Sequence, residues 1–127
     1  MINAKEIELF KNLSQFEFDK VFYDFHNNFK CFEISFFESC LTLLLRNTDT
    51  KKEILLRFFA VEIVRINFPL EVSINGLTMD NLYRGRFESN ENLLEFNSNQ
   101  KSFYYLEFYE GQIIDFFCEF IEIKIIQ

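Results

Sequence analysis

From Phe16 onward, apolar and polar positions alternate along most of the chain with a period of two residues. Because successive side chains of a strand point to opposite faces of a sheet, this alternation predicts half-buried β-strands. It is visible at three sets of positions: Phe32, Ile34 and Phe36; Leu41, Leu43 and Leu45; and Leu70, Val72 and Ile74. About seven or eight mostly antiparallel strands, at roughly ten-residue spacing, predict an all-β fold, either a β-sandwich or a partly open barrel.

The alternation changes phase at two places, near Phe59-Ala60 and after Phe120. A shift of one residue within a strand is typical of a β-bulge, so we expect a bulge at each place. Residues that favour turns separate the strands at 37–40, at 48–51 and at Asn75-Gly76.

The clearest hairpin has the three-residue loop Tyr109-Glu110-Gly111, which places the glycine where a positive φ is wanted. This loop predicts two cross-strand pairs, Leu106 with Ile114 and Tyr104 with Phe116. A two-residue loop would instead put Asp115 beside Leu106 on the apolar face, and we reject it for that reason.

Residues 3–13 are predicted to form one short N-terminal helix, because Asn3 and Glu6 have the spacing of a capping box and an apolar stripe follows. Residues 77–99 are hard to interpret, apart from a strand near Leu82 that ends at about Gly85. With no linker or internal repeat, the chain is predicted to be a single domain, residues 1–127.

Composition limits the classes of partner. The 127 residues include 19 Phe and no Trp, and the formal net charge is −7. This charge argues against nucleic acid and against anionic membrane surfaces, because both need a positive protein face. It is compatible with a basic protein partner, and equally with solubility alone.

The start of the chain, MINAKEIELF, has acidic residues where a signal peptide would be apolar. No apolar run approaches the roughly 18 residues of a membrane-spanning helix. Cys31, Cys40 and Cys118 form no CxxC pair, so we expect reduced, mostly buried thiols and a cytoplasmic location. An exposed edge strand could pair two copies, so a monomer and a homodimer both remain open.

Three groups of residues are candidates for chemistry. Asp24 and His26 point to the same face of an extended chain, where a carboxylate could orient a general base, but no serine nucleophile accompanies them. We expect instead a histidine bonded to a backbone carbonyl. The cysteines lack the short spacing of a zinc site. The basic cluster Arg84-Gly85-Arg86 is predicted to be a solvated turn. No catalytic residue, metal site or cofactor is predicted.

The final segment has the most distinctive surface. Residues 103–127 hold five acidic residues and one lysine, interleaved with aromatic side chains. Because aromatic rings anchor a partner and charge steers its approach, we predict a partner-binding surface here. Its residues are Tyr105, Glu107, Tyr109, Glu110, Asp115, Phe117 and Glu119. The alternative is an ordinary solvated sheet face.

The order of the segments adds a further indication. A Phe25-His26-Asn27 step precedes an alternating strand and a Leu-rich strand, then LRFFAVEI (Leu56–Ile63) and LEFYEGQIIDFFCEFIEIKI (Leu106–Ile125). This order resembles small β-rich immunity proteins of bacterial polymorphic toxin systems. In that family a Phe-His-Asp step opens the sheet, whereas Asn27 replaces the Asp here and no Trp precedes it. The resemblance implies a cytoplasmic protein that neutralises a toxin by binding, without catalysis.

The leading hypothesis is therefore a non-enzymatic protein-binding module, an immunity protein that neutralises a bacterial toxin by direct binding. A carrier of a small apolar ligand is the first alternative, because the many Phe residues could line a cavity in a barrel. A hydrolase that uses Asp24 and His26 is the second alternative.

Overall fold

The computed structural model describes residues 1–68, 76–87, 93–94, 97–98 and 100–126. Most of the described residues lie in β-strands and only three are helical, so the predicted all-β class is confirmed. The strand predicted at Leu70, Val72 and Ile74, residue Asn75 and most of the segment 91–96 lie outside the described residues.

Fourteen strands occur in the described part of the chain. They are β1 (Ile2–Asn3), β2 (Gln15–Phe18), β3 (Val21–Asp24), β4 (Phe29–Phe37), β5 (Cys40–Asn47), β6 (Glu53–Phe59), β7 (Glu62–Asn67), β8 (Met79–Arg84), β9 (Arg86–Phe87), β10 (Leu93–Leu94), β11 (Asn97–Ser98), β12 (Lys101–Phe108), β13 (Ile113–Cys118) and β14 (Phe120–Ile125).

The long strands form two antiparallel sheets. Sheet A has the order β1-β14-β6-β5-β4. Sheet B has the order β11-β12-β13-β7, and β8 pairs with β12 on the same side as β11. Two small hairpins, β2-β3 and β9-β10, complete the strand pairing among the described residues, and the two sheets pack as a sandwich.

One bent ribbon joins the sheets. Strands β6 and β7 follow each other along one side of it, and β13 and β14 along the other. Glu62 pairs with Phe117 in sheet B and Phe59 with Phe120 in sheet A, so the pairing register is the same before and after the corner. Ala60 has a positive φ of 56° at this corner.

The corner explains the two phase changes in the sequence. At the corner the inward-facing positions pass from Phe58 to Val61 on one strand and from Cys118 to Ile121 on the other, and this spacing of three residues looks like a bulge in the sequence. The bulges predicted near Phe59-Ala60 and after Phe120 are therefore wrong, because both places are passages between sheets.

The inner faces of the sheets meet in a single apolar core. From sheet A, the ring of Phe58 lies edge-to-face with that of Phe116 in sheet B, with 4.9 Å between centroids. Tyr104 is fully buried, and its hydroxyl donates to the carbonyl of Ala4 at 2.7 Å. Burial of each such side chain contributes about 1.5–3 kcal/mol, which holds the sheets together.

The N-terminal helix is much shorter than predicted. Only Ala4–Glu6 is helical, as one 3₁₀ turn, and the Asn3 side chain accepts from the amide of Lys5 at 3.0 Å. Beyond it, Leu9 forms a parallel bridge with Arg84. A short helix has little stability of its own, so pairing with β8 replaces it.

Most predicted turns are confirmed. The hairpin of β12 and β13 has the predicted pairs, Leu106 with Ile114 and Tyr104 with Phe116, and Gly111 has a φ of 104°. Strands β4 and β5 are joined through Glu38 and Ser39, both with positive φ. In the segment that was hard to interpret, Asn97–Ser98 forms β11, which pairs with the start of β12.

A bulge that was not predicted lies in β4, where the register shifts between Cys31 and Glu33. The extra residue is Phe32, which was expected to share a face with Ile34. Its ring instead packs against the guanidinium of Arg46, 4.5 Å from the ring centroid.

Candidate docking surface

The outer face of sheet B consists of three rows of side chains that run across neighbouring strands. The middle row crosses β8, β12, β13 and β7 as Tyr83, Tyr105, Asp115 and Arg65. The rows beside it are Asn81, Glu107, Ile113 and Asn67, and then Phe103, Phe117 and Glu62. These residues point away from the core because alternate positions, such as Leu82, Leu106 and Ile114, fill it, although Phe103 is itself only 2% exposed.

Glu107 is held in place by neutral donors. Its Oε1 accepts from Nδ2 of Asn81 at 2.7 Å, and its Oε2 accepts from the hydroxyl of Tyr105 at 3.0 Å. Among the described residues, no cation forms an ion pair with it. Glu107 therefore keeps an uncompensated negative charge in a fixed position beside an aromatic ring.

The other two carboxylates of this face are paired with cations. Nε of Arg65 lies 2.8 Å from Oδ2 of Asp115, whose side chain is only 12% exposed. Nζ of Lys101 lies 2.8 Å from Oε1 of Glu62. The face is consequently less acidic than residues 103–127 suggest, because cations from other strands join it.

The two tyrosines of the middle row are constrained. The rings of Tyr83 and Tyr105 lie 5.2 Å apart between centroids. Burial, followed by the hydrogen bond to Glu107 and its charge, raises the pKa of Tyr105 well above its usual value of 10.0. Burial and the charge of Glu107 raise the pKa of Tyr83 in the same way. Both hydroxyls therefore stay protonated at neutral pH.

The seven predicted docking residues do not all lie together. Tyr105, Glu107, Asp115 and Phe117 lie on the outer face of sheet B, and Phe117 packs edge-to-face on Phe103 at 5.4 Å between centroids.

The three remaining residues lie beyond the strands of that face. Tyr109 is 75% exposed in the β12-β13 turn, and Oε1 of Glu110 accepts from the amide of Thr78 at 2.8 Å. Glu119 lies at the corner between the sheets, where its amide donates to the carbonyl of Phe59.

The sequence did not identify Asn81, Tyr83 and Arg65 as parts of this surface. The alternation of Asn81, Leu82 and Tyr83 indicates which sides of β8 face outward. Nothing in the sequence, however, shows that β8 pairs with β12, which is the fact that brings these residues to Glu107.

His26 has the structural role that was expected. Its Nδ1 lies 2.8 Å from the carbonyl oxygen of Met79, and the carboxylate of Asp80 is 3.7 Å away. Asp24 does not orient the imidazole, because its oxygens accept from Asn27 and Gln15. Although burial opposes them, these hydrogen bonds lower the pKa of Asp24.

The three thiols are free, and two of them are buried. Burial raises the pKa of Cys31 to about 12 and raises that of Cys118 still further. A thiol must be deprotonated to act as a nucleophile or a metal ligand, so neither residue is suited to those roles. In the part of the chain that is described, no group of three or more potential ligands could hold a metal ion.

Arg84 corrects a further expectation, because the turn at 84–86 is not simply solvated. Nη1 of Arg84 donates to the carbonyls of Lys5 at 2.8 Å and Ile7 at 2.6 Å. Gly85 is buried with a φ of 117°. The guanidinium thus ties the N-terminal segment to sheet B.

Comparison with protein-family models, with curated proteins and with solved structures finds no match for this chain. Within the described ranges, none of the helices is both long enough and apolar enough to cross a membrane.

Proposed function

We propose that this chain is a non-enzymatic protein-binding module of the immunity type, which docks a basic segment of a bacterial toxin on the outer face of sheet B. The observation that carries the proposal is Glu107, a carboxylate fixed by Asn81 and Tyr105 and not neutralised by any described cation. A lysine or arginine of a partner would supply that missing charge.

Preorganisation makes this surface suitable for docking. The hydrogen bonds of Glu107 and the ring contact between Tyr83 and Tyr105 already restrict these side chains, so little rotamer freedom is lost on binding. Aromatic residues at such positions provide most of the binding energy in many interfaces, while charge sets the rate and the choice of partner. Tyr109 adds an exposed ring at the end of the same face.

A toxin as the partner is supported by the order of segments that resembles immunity proteins. A non-catalytic role is supported by the surroundings of the candidate catalytic groups. His26 is bound to a carbonyl, Asp24 is engaged by Asn27, and the raised pKa of Cys31 keeps its thiol protonated. The apolar-carrier alternative gains no support, because Phe58, Tyr104 and Phe116 fill the space between the sheets.

Co-expression with the toxin encoded by the neighbouring gene tests the proposal. We expect the wild-type protein to restore growth, and Glu107→Gln, which keeps the shape and removes the charge, to weaken toxin binding by at least about tenfold. Glu122→Gln removes the same charge from sheet A and should bind normally. No rescue by the wild-type protein, or equal binding by both variants, would contradict the proposal.

A further inference from the structure

A small basic pocket opens on the outer face of sheet A. Its volume is about 220 Å³, and it is lined by Lys30, Phe32, Arg46, Asn47, Thr48 and Lys51. We call it the basic pocket. Three of its six lining residues are cations in a chain whose net charge is −7. The pocket is therefore positively charged although the molecule as a whole is negative.

Two of the cations are placed in an unfavourable arrangement. Lys30 and Arg46 are directly opposite each other across β4 and β5. Like charges at such positions repel and destabilise a sheet. Glu53 offsets part of this cost, because its carboxylate lies 3.0 Å from Nη2 of Arg46. Lys30 has no ion pair among the described residues, and its ammonium donates only to the hydroxyl of Thr78.

Two irregular features of the backbone, a bulge in β4 and the loop after β5, place side chains around the pocket. The bulge in β4 turns Phe32 outward, so that its ring supports the guanidinium of Arg46. Bulges of this kind are common next to functional sites, where they redirect a side chain. Lys51, with a positive φ of 63°, forms the rim in the loop after β5, which also contains the exposed Asp49.

We propose that the basic pocket binds a phosphate group, either as free phosphate or as a phosphate ester. The ammonium of Lys30 has donors left after its bond to Thr78, and Nη1 of Arg46 is not used in the bonds to Glu53. Arginine and lysine together suit phosphate oxygens. At roughly 30 Å³ per water molecule, the pocket has space for about seven water-sized groups, which is enough for a phosphate and the first atoms attached to it.

Nuclear magnetic resonance titration of the labelled protein tests this proposal residue by residue. Inorganic phosphate and phenyl phosphate are the two probes, with sodium chloride at matched ionic strength as the reference. We expect saturable shifts of the amides at Lys30, Phe32, Asn47 and Lys51 with phosphate and none with chloride. Tighter binding of phenyl phosphate would identify an ester, stacked on Phe32, as the preferred source.

Three variants make the test decisive. Lys51→Met changes an exposed loop residue and should weaken phosphate binding by roughly tenfold, whereas Lys124→Met, on the same face of sheet A, should leave it unchanged. Lys30→Met provides a second removal of charge within the pocket. Shifts that do not saturate, or equal affinity of Lys51→Met and wild type, would overturn the proposal. Either result is independent of toxin binding on sheet B.

Discussion

The outer face of each sheet holds a charge that neutral hydrogen-bond partners fix and no described residue neutralises, and the two charges have opposite signs. On sheet B it is Glu107, bonded to Asn81 and Tyr105. On sheet A it is Lys30, bonded to Thr78 and facing another cation, Arg46. The net charge of −7 therefore says little about either site, because the local arrangement of charges decides what each surface attracts.

The two faces also differ in how they are supported. The middle row of sheet B is continuous over four strands, and the ion pair between Arg65 and Asp115 is short and largely buried on the carboxylate side. The corresponding pair on sheet A, Arg57 with Glu122, is longer, at 3.4 Å, and its carboxylate side chain is more exposed, at 30%. The middle row of sheet B thus comes from directly paired strands, whereas the basic pocket also depends on the loop after β5.

The substitution with the largest expected effect lies in the core, which supports the outer faces of both sheets. Phe116→Ala should lower the free energy of unfolding by about 3–5 kcal/mol, because it leaves a cavity where Phe116 meets Phe58 and Tyr104. Denaturant unfolding measures this loss. Phe37→Ala, at a side chain that is 73% exposed, should change stability by no more than about 0.5 kcal/mol. Similar losses for both variants would contradict a shared core.

The second prediction compares the ion pairs of the two faces. Asp115→Ala should destabilise the protein by about 1.5–3 kcal/mol, because it removes a partly buried, charge-assisted hydrogen bond to Arg65. Glu122→Ala should cost less than about 1 kcal/mol, because water screens its pair with Arg57. If chemical denaturation showed equal losses of stability, the ion pair of Asp115 would contribute no more than that of Glu122.

A third prediction concerns Lys30, one of the residues that line the basic pocket. A Cβ added at Gly76, where φ is 83°, would lie 2.9 Å from Cβ of Lys30. Gly76→Ala should therefore cost about 1–2 kcal/mol in thermal unfolding and displace Lys30. Gly111→Ala has a comparable positive φ in an exposed turn, so it isolates the backbone strain. If Gly111→Ala cost as much, the contact with Lys30 would not matter.

The smallest effect is a dependence on pH. The pKa of Tyr105 is raised in the folded protein, so the folded state keeps a proton that the unfolded state loses above about pH 10. Stability should therefore fall as the pH rises beyond about 10. In an ultraviolet titration, Glu107→Gln should move the pKa of Tyr105 downward, because the carboxylate that disfavours the phenolate is gone. No movement would show that Glu107 does not act on this hydroxyl.

The sequence predicts what is local in this fold and fails where distant segments meet. The β12-β13 hairpin was predicted to the residue, because turn geometry and alternation decide its register without the rest of the chain. The corner at Ala60 was not predicted, because one strand passing between two sheets gives the same pattern as a bulge. The prediction of a helix over residues 3–13 was wrong, because pairing of Leu9 with Arg84 outweighs the weak local preference for helix.

The same limit applies to the candidate sites. Tyr105, Glu107 and Asp115 could be found because they share one face of a recognisable hairpin. Asn81 and Arg65, which bond to them, come from strands whose partners the sequence does not reveal. The basic pocket was missed altogether, because Lys30, Arg46 and Lys51 meet only through the pairing of β4 with β5 and the loop after it.

The most direct measurement of the central claim is a map of amide shifts when the labelled protein is titrated with the product of its neighbouring gene, the toxin in the proposed function. The account predicts shifts centred on Tyr83, Tyr105, Glu107 and Tyr109, which disappear in Glu107→Gln. Shifts confined to β4, β5 and the loop after them, or unchanged binding by the variant, would contradict it.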